Sequence, residues 1–72
     1  MAAAKTLTAQ SELERLERRM ERRWYDLAMA EQRGQPEHVL DRMFNAYLRA
    51  LDEFVALDRL LTSRRALARL AS

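Results

Sequence analysis

Apolar residues recur at intervals of three and four between residues 9 and 33, which is the spacing of one face of an α-helix. Projected at about 100° per residue, they fall within an arc of about 120°. The residues of this stripe are Leu13, Leu16, Met20, Trp24, Leu27 and Ala28. An arc of that width is typical of a helix that covers a core with one face. We therefore predict a first helix over about residues 9–33.

A second apolar pattern, between residues 36 and 69, is wider. Its main row repeats every seven residues at Leu40, Tyr47, Phe54 and Leu61. Leu48 and Val55 add a further row, which widens the apolar arc to about 180°. One neighbouring helix cannot cover half of a cylinder. We therefore predict a second helix over about residues 36–69 that contacts the first helix and at least one more.

The break between the two patterns contains the only glycine and the only proline of the chain, Gly34 and Pro36. Glycine suits the left-handed position that follows a helix, and proline suits the first turn of the next helix. At the start of the first helix, either Thr8 or Ser11 could serve as the cap. A turn as short as residues 34–35 favours an antiparallel helical hairpin, so the predicted fold class is all-α.

Antiparallel pairing about this turn places Trp24 near Phe44. The second helix is predicted to be about ten residues longer than the first, which leaves roughly 15 Å of helix without a neighbour. Within a single domain of residues 1–72, we expect a flexible N-terminus at residues 1–8 and a helical overhang at residues 59–72. The wide apolar arc favours completion of a four-helix bundle, by dimerisation or by docking on a partner protein.

Chain length and composition support this interpretation. A single core in a chain of 72 residues rarely contributes more than about 3–5 kcal/mol. The absence of cysteine excludes disulfides and cysteine zinc sites, so we expect self-association or a larger partner to supply further burial. The N-terminal residues lack a secretory signal, and no apolar run approaches the ~18 residues of a membrane span. We therefore expect a cytoplasmic protein.

Apolar residues outside the main stripes are the predicted contacts with another subunit or protein. Some flank the first helix, some form the extra row of the second, and some lie in the overhang on the side opposite the main row. The predicted interface residues are Tyr25, Met29, Leu48, Val55, Leu60, Leu67 and Leu70. The alternative for the three leucines of the overhang is a frayed C-terminus, in which they serve only as helix formers.

Five arginines lie opposite the apolar stripe of the first helix and form what we call the arginine ridge. They are Arg15, Arg18, Arg19, Arg22 and Arg23. Such a ridge could contact the phosphate backbone of a nucleic acid, or an acidic protein surface. The simpler alternative is a solvated face with local ion pairs such as Arg22–Asp26, each worth about 0.2–0.5 kcal/mol. The net charge of +2 is too small to argue for nucleic acid by itself.

Two residues were candidates for site chemistry, Asp58 and His38. Asp58 falls on the apolar face of the second helix, where we expect Arg65 or Arg15 to pair with it and help to set the register. His38 is the only histidine, and its neighbours do not supply enough ligands for a metal site. We therefore predict no metal, no cofactor and no enzymatic activity.

The sequence carries no family motif that we recognise, so two functional hypotheses remain. The first is a non-enzymatic protein–protein interaction module, a small structural, adaptor or chaperone-like subunit. It would self-associate or dock on a larger partner through the apolar face of the second helix. The second is a small dimeric accessory protein that binds RNA or DNA through the arginine ridge.

Overall fold

Two antiparallel α-helices make up the fold of the described residues. The computed structural model describes residues 2–71, with side chains from residue 8 onward. Helix α1 spans Ala2–Gln32 and helix α2 spans Glu37–Ala71. The helices pack against each other along their length. The predicted all-α antiparallel hairpin is thus confirmed, whereas its completion to a four-helix bundle stays a prediction.

The turn between the helices begins with a Schellman motif, in which a glycine ends α1, and it continues with a proline at the start of α2. Gly34 has a φ of 70°, the left-handed conformation that favours glycine. The Gln35 amide donates to the Ala30 carbonyl, and the Gly34 amide donates to the Glu31 carbonyl, each at 3.1 Å. The Pro36 carbonyl then accepts from the Leu40 amide at 3.1 Å. Pro36 therefore occupies the cap position of α2, directly before Glu37.

Helix α1 begins at Ala2, earlier than the predicted start at residue 9. Residues 2–4 are alanines, which have the highest helix propensity of any residue. Thr8 and Ser11 therefore lie inside α1, and neither caps it as predicted. The flexibility predicted for residues 1–8 stays a prediction, and Met1 lies outside the described residues.

The predicted overhang is shorter than expected because of this early start. Helix α1 has 31 residues and α2 has 35. The Arg65 guanidinium donates to Gln10 Oε1 at 3.2 Å, so α2 runs beside α1 at least as far as Arg65. Of the segment 59–72, Ser72 lies outside the described residues.

The core between the helices is thin. Leu16, Ala30 and Ala50 are the only buried apolar residues within the part of the chain that the structure describes, and two of the three are alanines. Many other apolar side chains are half-buried. They include Leu13, Met20, Leu27, Val39, Met43, Tyr47, Leu51, Phe54, Leu57 and Leu61. The hairpin therefore removes little apolar surface from water, relative to the number of apolar residues that it carries.

The shape of the hairpin shows how much surface remains open. Its extents are 54 × 19 × 14 Å, and its radius of gyration is 16.5 Å, whereas a compact domain of this length has about 11 Å. The accessible surface is 6045 Å², against about 4650 Å² for a folded monomer of 8.5 kDa. The chain thus exposes substantially more surface than a compact monomer of its mass.

Trp24 shows where the core prediction is wrong. It was assigned to the buried stripe of the first helix, but it is 55% exposed, and Phe44 is 45% exposed. Each helix has one neighbour, so burial is confined to side chains close to the line of contact. Trp24 follows Leu16 by eight residues, which places it about 80° around α1 from that buried side chain.

We expect Leu16→Ala to unfold the isolated hairpin or nearly so. Truncation of a buried leucine costs about 2–5 kcal/mol, which is comparable with the about 3–5 kcal/mol that a core of this size supplies. Leu60→Ala is the matched control, because Leu60 is helical but 53% exposed. Thermal and urea unfolding followed by circular dichroism would measure both. Equal losses of stability in the two variants would contradict the assigned core.

Candidate functional site

One side of the hairpin carries a continuous set of exposed and half-buried apolar residues, which we call the aromatic face. Helix α1 contributes Trp24. Helix α2 contributes residues spaced by three and four positions, which lie on one side of a helix. The aromatic face consists of Trp24, Phe44, Tyr47, Leu48, Leu51 and Val55. Leu48 and Val55, two of the predicted interface residues, are therefore part of a larger surface.

Ring contacts join the two helices on this face. The Trp24 and Tyr47 ring centroids are 5.3 Å apart, with the ring planes tilted by 52°. The Phe44 and Tyr47 centroids are 6.5 Å apart, with a tilt of 34°. Aromatic pairs at 4.5–7 Å contribute about 0.5–1.5 kcal/mol beyond their area burial. Trp24 and Phe44 thus line the same groove, as their predicted proximity requires, and each ring also pairs with Tyr47.

A shallow groove runs between the helices beside these rings, toward the turn. It has a volume of about 320 Å³. Its apolar lining is Trp24, Leu27, Ala28, Leu40 and Phe44. Its two charged residues are the carboxylates Glu31 and Asp41. The sequence patterns did not single out either carboxylate, because only the packing of the helices places them on the same groove.

Tyr25 and Met29 lie on the opposite side of the hairpin from the aromatic face. They line a second groove of about 360 Å³ together with Val39 and Met43. Tyr25 follows Trp24 directly, and consecutive residues differ by about 100° around a helix. Tyr25 and Met29 therefore lie on a different side of the hairpin from Leu48 and Val55. Their contact with another subunit or protein stays a prediction.

The leucines near the C-terminus form a separate set. Leu60, Leu67 and Leu70 are 53%, 66% and 84% exposed. Leu60 follows Leu48 by twelve residues, which places it about 120° away around α2. Leu60 therefore does not extend the aromatic face, and the contact of the three leucines with another molecule stays a prediction.

The arginine ridge is partly neutralised. Arg15 pairs with Glu12, and Arg22 Nε lies 3.5 Å from Asp26 Oδ1, as local pairs within α1. Arg19 Nη1 lies 3.5 Å from Glu53 Oε2 of α2, a pair that the sequence did not predict. Within the described residues, no carboxylate pairs with Arg18 or Arg23. Two of the five ridge cations thus remain available to an external anion.

The Glu12–Arg15 pair also has an electrostatic signature. The hydrogen bond from Arg15 lowers the pKa of the Glu12 carboxyl below its ordinary value. A lowered folded-state pKa stabilises the fold above the ordinary pKa, and this contribution is lost as the pH falls through the folded-state value. Because both side chains are about half exposed, the contribution is small.

Part of the ridge lines a third groove between the helices, on the side away from the aromatic face. Arg19 and Arg23 share it with Arg49 and Glu53, above the small side chains of Ala46 and Ala50. Arg49 belongs to α2, so no projection of the first helix alone includes it. Basic residues from both helices therefore meet on this side, which we call the basic side.

The remaining candidates for site chemistry do not converge. Asp58 is exposed, and its two predicted partners bond elsewhere, Arg65 to Gln10 and Arg15 to Glu12. The prediction that Asp58 sets the register of the core is therefore wrong. Residues 2–71 contain no cluster of three or more potential metal ligands. In the same range, neither helix has a stretch long and apolar enough to cross a membrane.

Comparison with known proteins gives no further guide to the site, because no protein-family model, curated protein or solved structure matches the chain.

We expect the chain to bind nucleic acid no more tightly than the non-specific range of about 10⁻⁴–10⁻⁶ M at physiological salt. Three of the five ridge arginines already have carboxylate partners. Fluorescence anisotropy with labelled duplex DNA and single-stranded RNA, over a range of salt concentrations, measures the affinity and its salt dependence.

Tighter binding through the arginine ridge would contradict this expectation. Two variants show whether the ridge is responsible. One replaces the four ridge residues Arg18, Arg19, Arg22 and Arg23 with glutamine, and the control makes the same replacement at Arg42, Arg59, Arg64 and Arg69. Submicromolar binding that only the ridge variant loses would favour the nucleic-acid hypothesis.

Proposed function

We propose that this chain is a non-enzymatic protein–protein interaction module whose working surface is the aromatic face. It acts as a small structural, adaptor or chaperone-like subunit and completes its core with helices supplied by another chain. The other chain is either a second copy or a larger partner protein. We propose a binding role rather than an enzymatic one because of the composition of this surface. The aromatic face offers apolar side chains beside an open groove with two carboxylates, Glu31 and Asp41, and such a composition suits binding.

The observation that carries the proposal is the exposure of the aromatic face. Trp24 is 55% exposed and Phe44 is 45% exposed, although both are large apolar side chains that the apolar pattern assigns to helix contacts. Aromatic residues are enriched at protein interfaces, and tryptophan and tyrosine are enriched among the residues that contribute most to binding. A cluster of three aromatic rings from two helices is therefore typical of an interface centre.

The amount of exposed surface supports the same proposal. The accessible surface of 6045 Å² exceeds that of a compact monomer by about 1400 Å². One partner in a standard interface buries about 800 Å². The excess is therefore large enough for a full interface on one side of the hairpin, and burial there would compensate for the thin core of Leu16, Ala30 and Ala50.

Site-specific photo-crosslinking in cells that make the protein tests the proposal. The photoreactive residue benzoylphenylalanine replaces Trp24 or Phe44 in separate variants. Tyr25 is the matched control, because it is an aromatic residue of similar exposure, 61%, on the opposite side of the hairpin. We expect a discrete cross-linked product from positions 24 and 44 and none from position 25.

The mass of the product identifies the class of the other chain. A product of twice 8.5 kDa indicates a second copy, and any other discrete mass indicates a different protein. If positions 24 and 44 gave no product, or the same products as position 25, the aromatic face would not be the working surface.

A further inference from the structure

Acidic side chains surround the aromatic face. Glu31 and Asp41 line its groove beside Trp24 and Phe44. Further carboxylates stand three or seven residues from Trp24 or Phe44 along the same helix, and these spacings keep them on the same side. The five residues, which we call the acidic rim, are Glu17, Glu21, Glu31, Glu37 and Asp41.

The acidic rim is not neutralised within the hairpin. All five carboxylates are exposed, and none belongs to an ion pair within the described residues. The basic side differs, because its groove combines Arg19, Arg23 and Arg49 with one carboxylate, Glu53. The carboxylates that do pair with arginine, such as Glu53, thus lie away from the aromatic face. The groove beside the aromatic face therefore carries only carboxylates as charged groups, whereas the groove of the basic side carries mostly arginines, so charge is separated between these two grooves.

From this separation we infer that the aromatic face binds an amphipathic helix of another protein, whose apolar stripe is flanked by lysine or arginine. The inference rests on the proposed function and adds the chemistry of the partner. A third helix fits the groove between two packed helices, since that is how helical bundles grow. The apolar positions from Leu40 to Val55 extend over roughly 22 Å of α2, which corresponds to about four turns of the bound helix.

A second copy of the chain fits this face less well. In a symmetric dimer with both turns at the same end, Glu31 and Asp41 of one copy would face the same carboxylates of the other. With the turns at opposite ends, the two α2 helices run antiparallel. A register that places Phe44 against Val55 of the second copy then places Asp41 against Asp58. Both arrangements oppose like charges, which is unfavourable.

A register that pairs Asp41 with Arg65 loses the apolar contact of Phe44. If Asp41 faced Arg65 of a second antiparallel copy, Phe44 would face Thr62 rather than an apolar residue. No such conflict arises for a partner helix that carries basic residues on both edges of its apolar stripe. Charge complementarity and apolar contact then occur in one register, which is why we assign the face to a basic helix.

The test compares two synthetic helical peptides of about 18 residues, long enough to cover the roughly four turns of the groove. Both carry the same leucine stripe, flanked by lysine in one peptide and by glutamate in the other. Trp24 is the only tryptophan of the chain, so a blue shift of its fluorescence reports coverage of the aromatic face. The net charge of the chain is +2, so overall attraction would favour the glutamate peptide.

We expect the lysine peptide to bind at least tenfold more tightly than the glutamate peptide, with a preference that decreases as salt is added. The double variant Glu31→Lys/Asp41→Lys should reverse the preference. Glu12→Lys/Glu53→Lys is the control, because it changes the net charge equally at two carboxylates that pair with arginines. This control should keep the preference for the lysine peptide. Circular dichroism of each variant verifies that the helices remain.

Three results would overturn the inference. They are equal binding of the two peptides, an equal effect of the two double variants, and concentration-dependent burial of Trp24 in the chain alone, which would make a second copy the occupant. None of these removes the proposed function, because cross-links from positions 24 and 44 would still identify the aromatic face as the working surface. Absence of those cross-links would remove both.

Discussion

Each helix of a two-helix hairpin has a single neighbour, and this geometric limit governs the rest of the structure. A single neighbour covers a narrow strip of each helix, and here that strip buries Leu16, Ala30 and Ala50. The wider apolar surface of α2 lies outside the strip. Burial of apolar surface contributes roughly 25 cal/mol per Å² to stability, and apolar area that stays in water contributes nothing. The chain thus carries the residues of a larger core than its two helices can enclose.

The distribution of charge gives the two sides of the hairpin different chemistry. On the basic side, arginines of α1 and α2 meet around small alanines, and Glu53 compensates part of their charge. On the other side, Glu31 and Asp41 stand beside Trp24 and Phe44 without a basic residue in the groove. An apolar surface with a charged border combines affinity from burial with selection of a partner by charge. Because the opposite charges nearly cancel, the small net charge of the chain does not show this separation.

The periodic spacing of apolar residues and the Gly34–Pro36 break are sufficient to predict the helical hairpin, because these features are local. Features that depend on how one helix is rotated against the other were not predictable. A projection gives the angle between Trp24 and Leu16 but not the number of helices that surround them, so Trp24 was placed in a core. Likewise, it could not show that Tyr25 and Leu48 face opposite sides, or that Arg49 would join Arg19.

We propose that another chain covers the aromatic face in the cell. Hydroxyl-radical footprinting measures this directly, as the oxidation of each aromatic side chain in intact cells and in the purified protein. We expect Trp24 and Phe44 to be protected in cells and reactive after purification, while Tyr25 on the opposite side reacts similarly in both. Equal reactivity of Trp24 in the two conditions, with Tyr25 unchanged, would contradict this proposal.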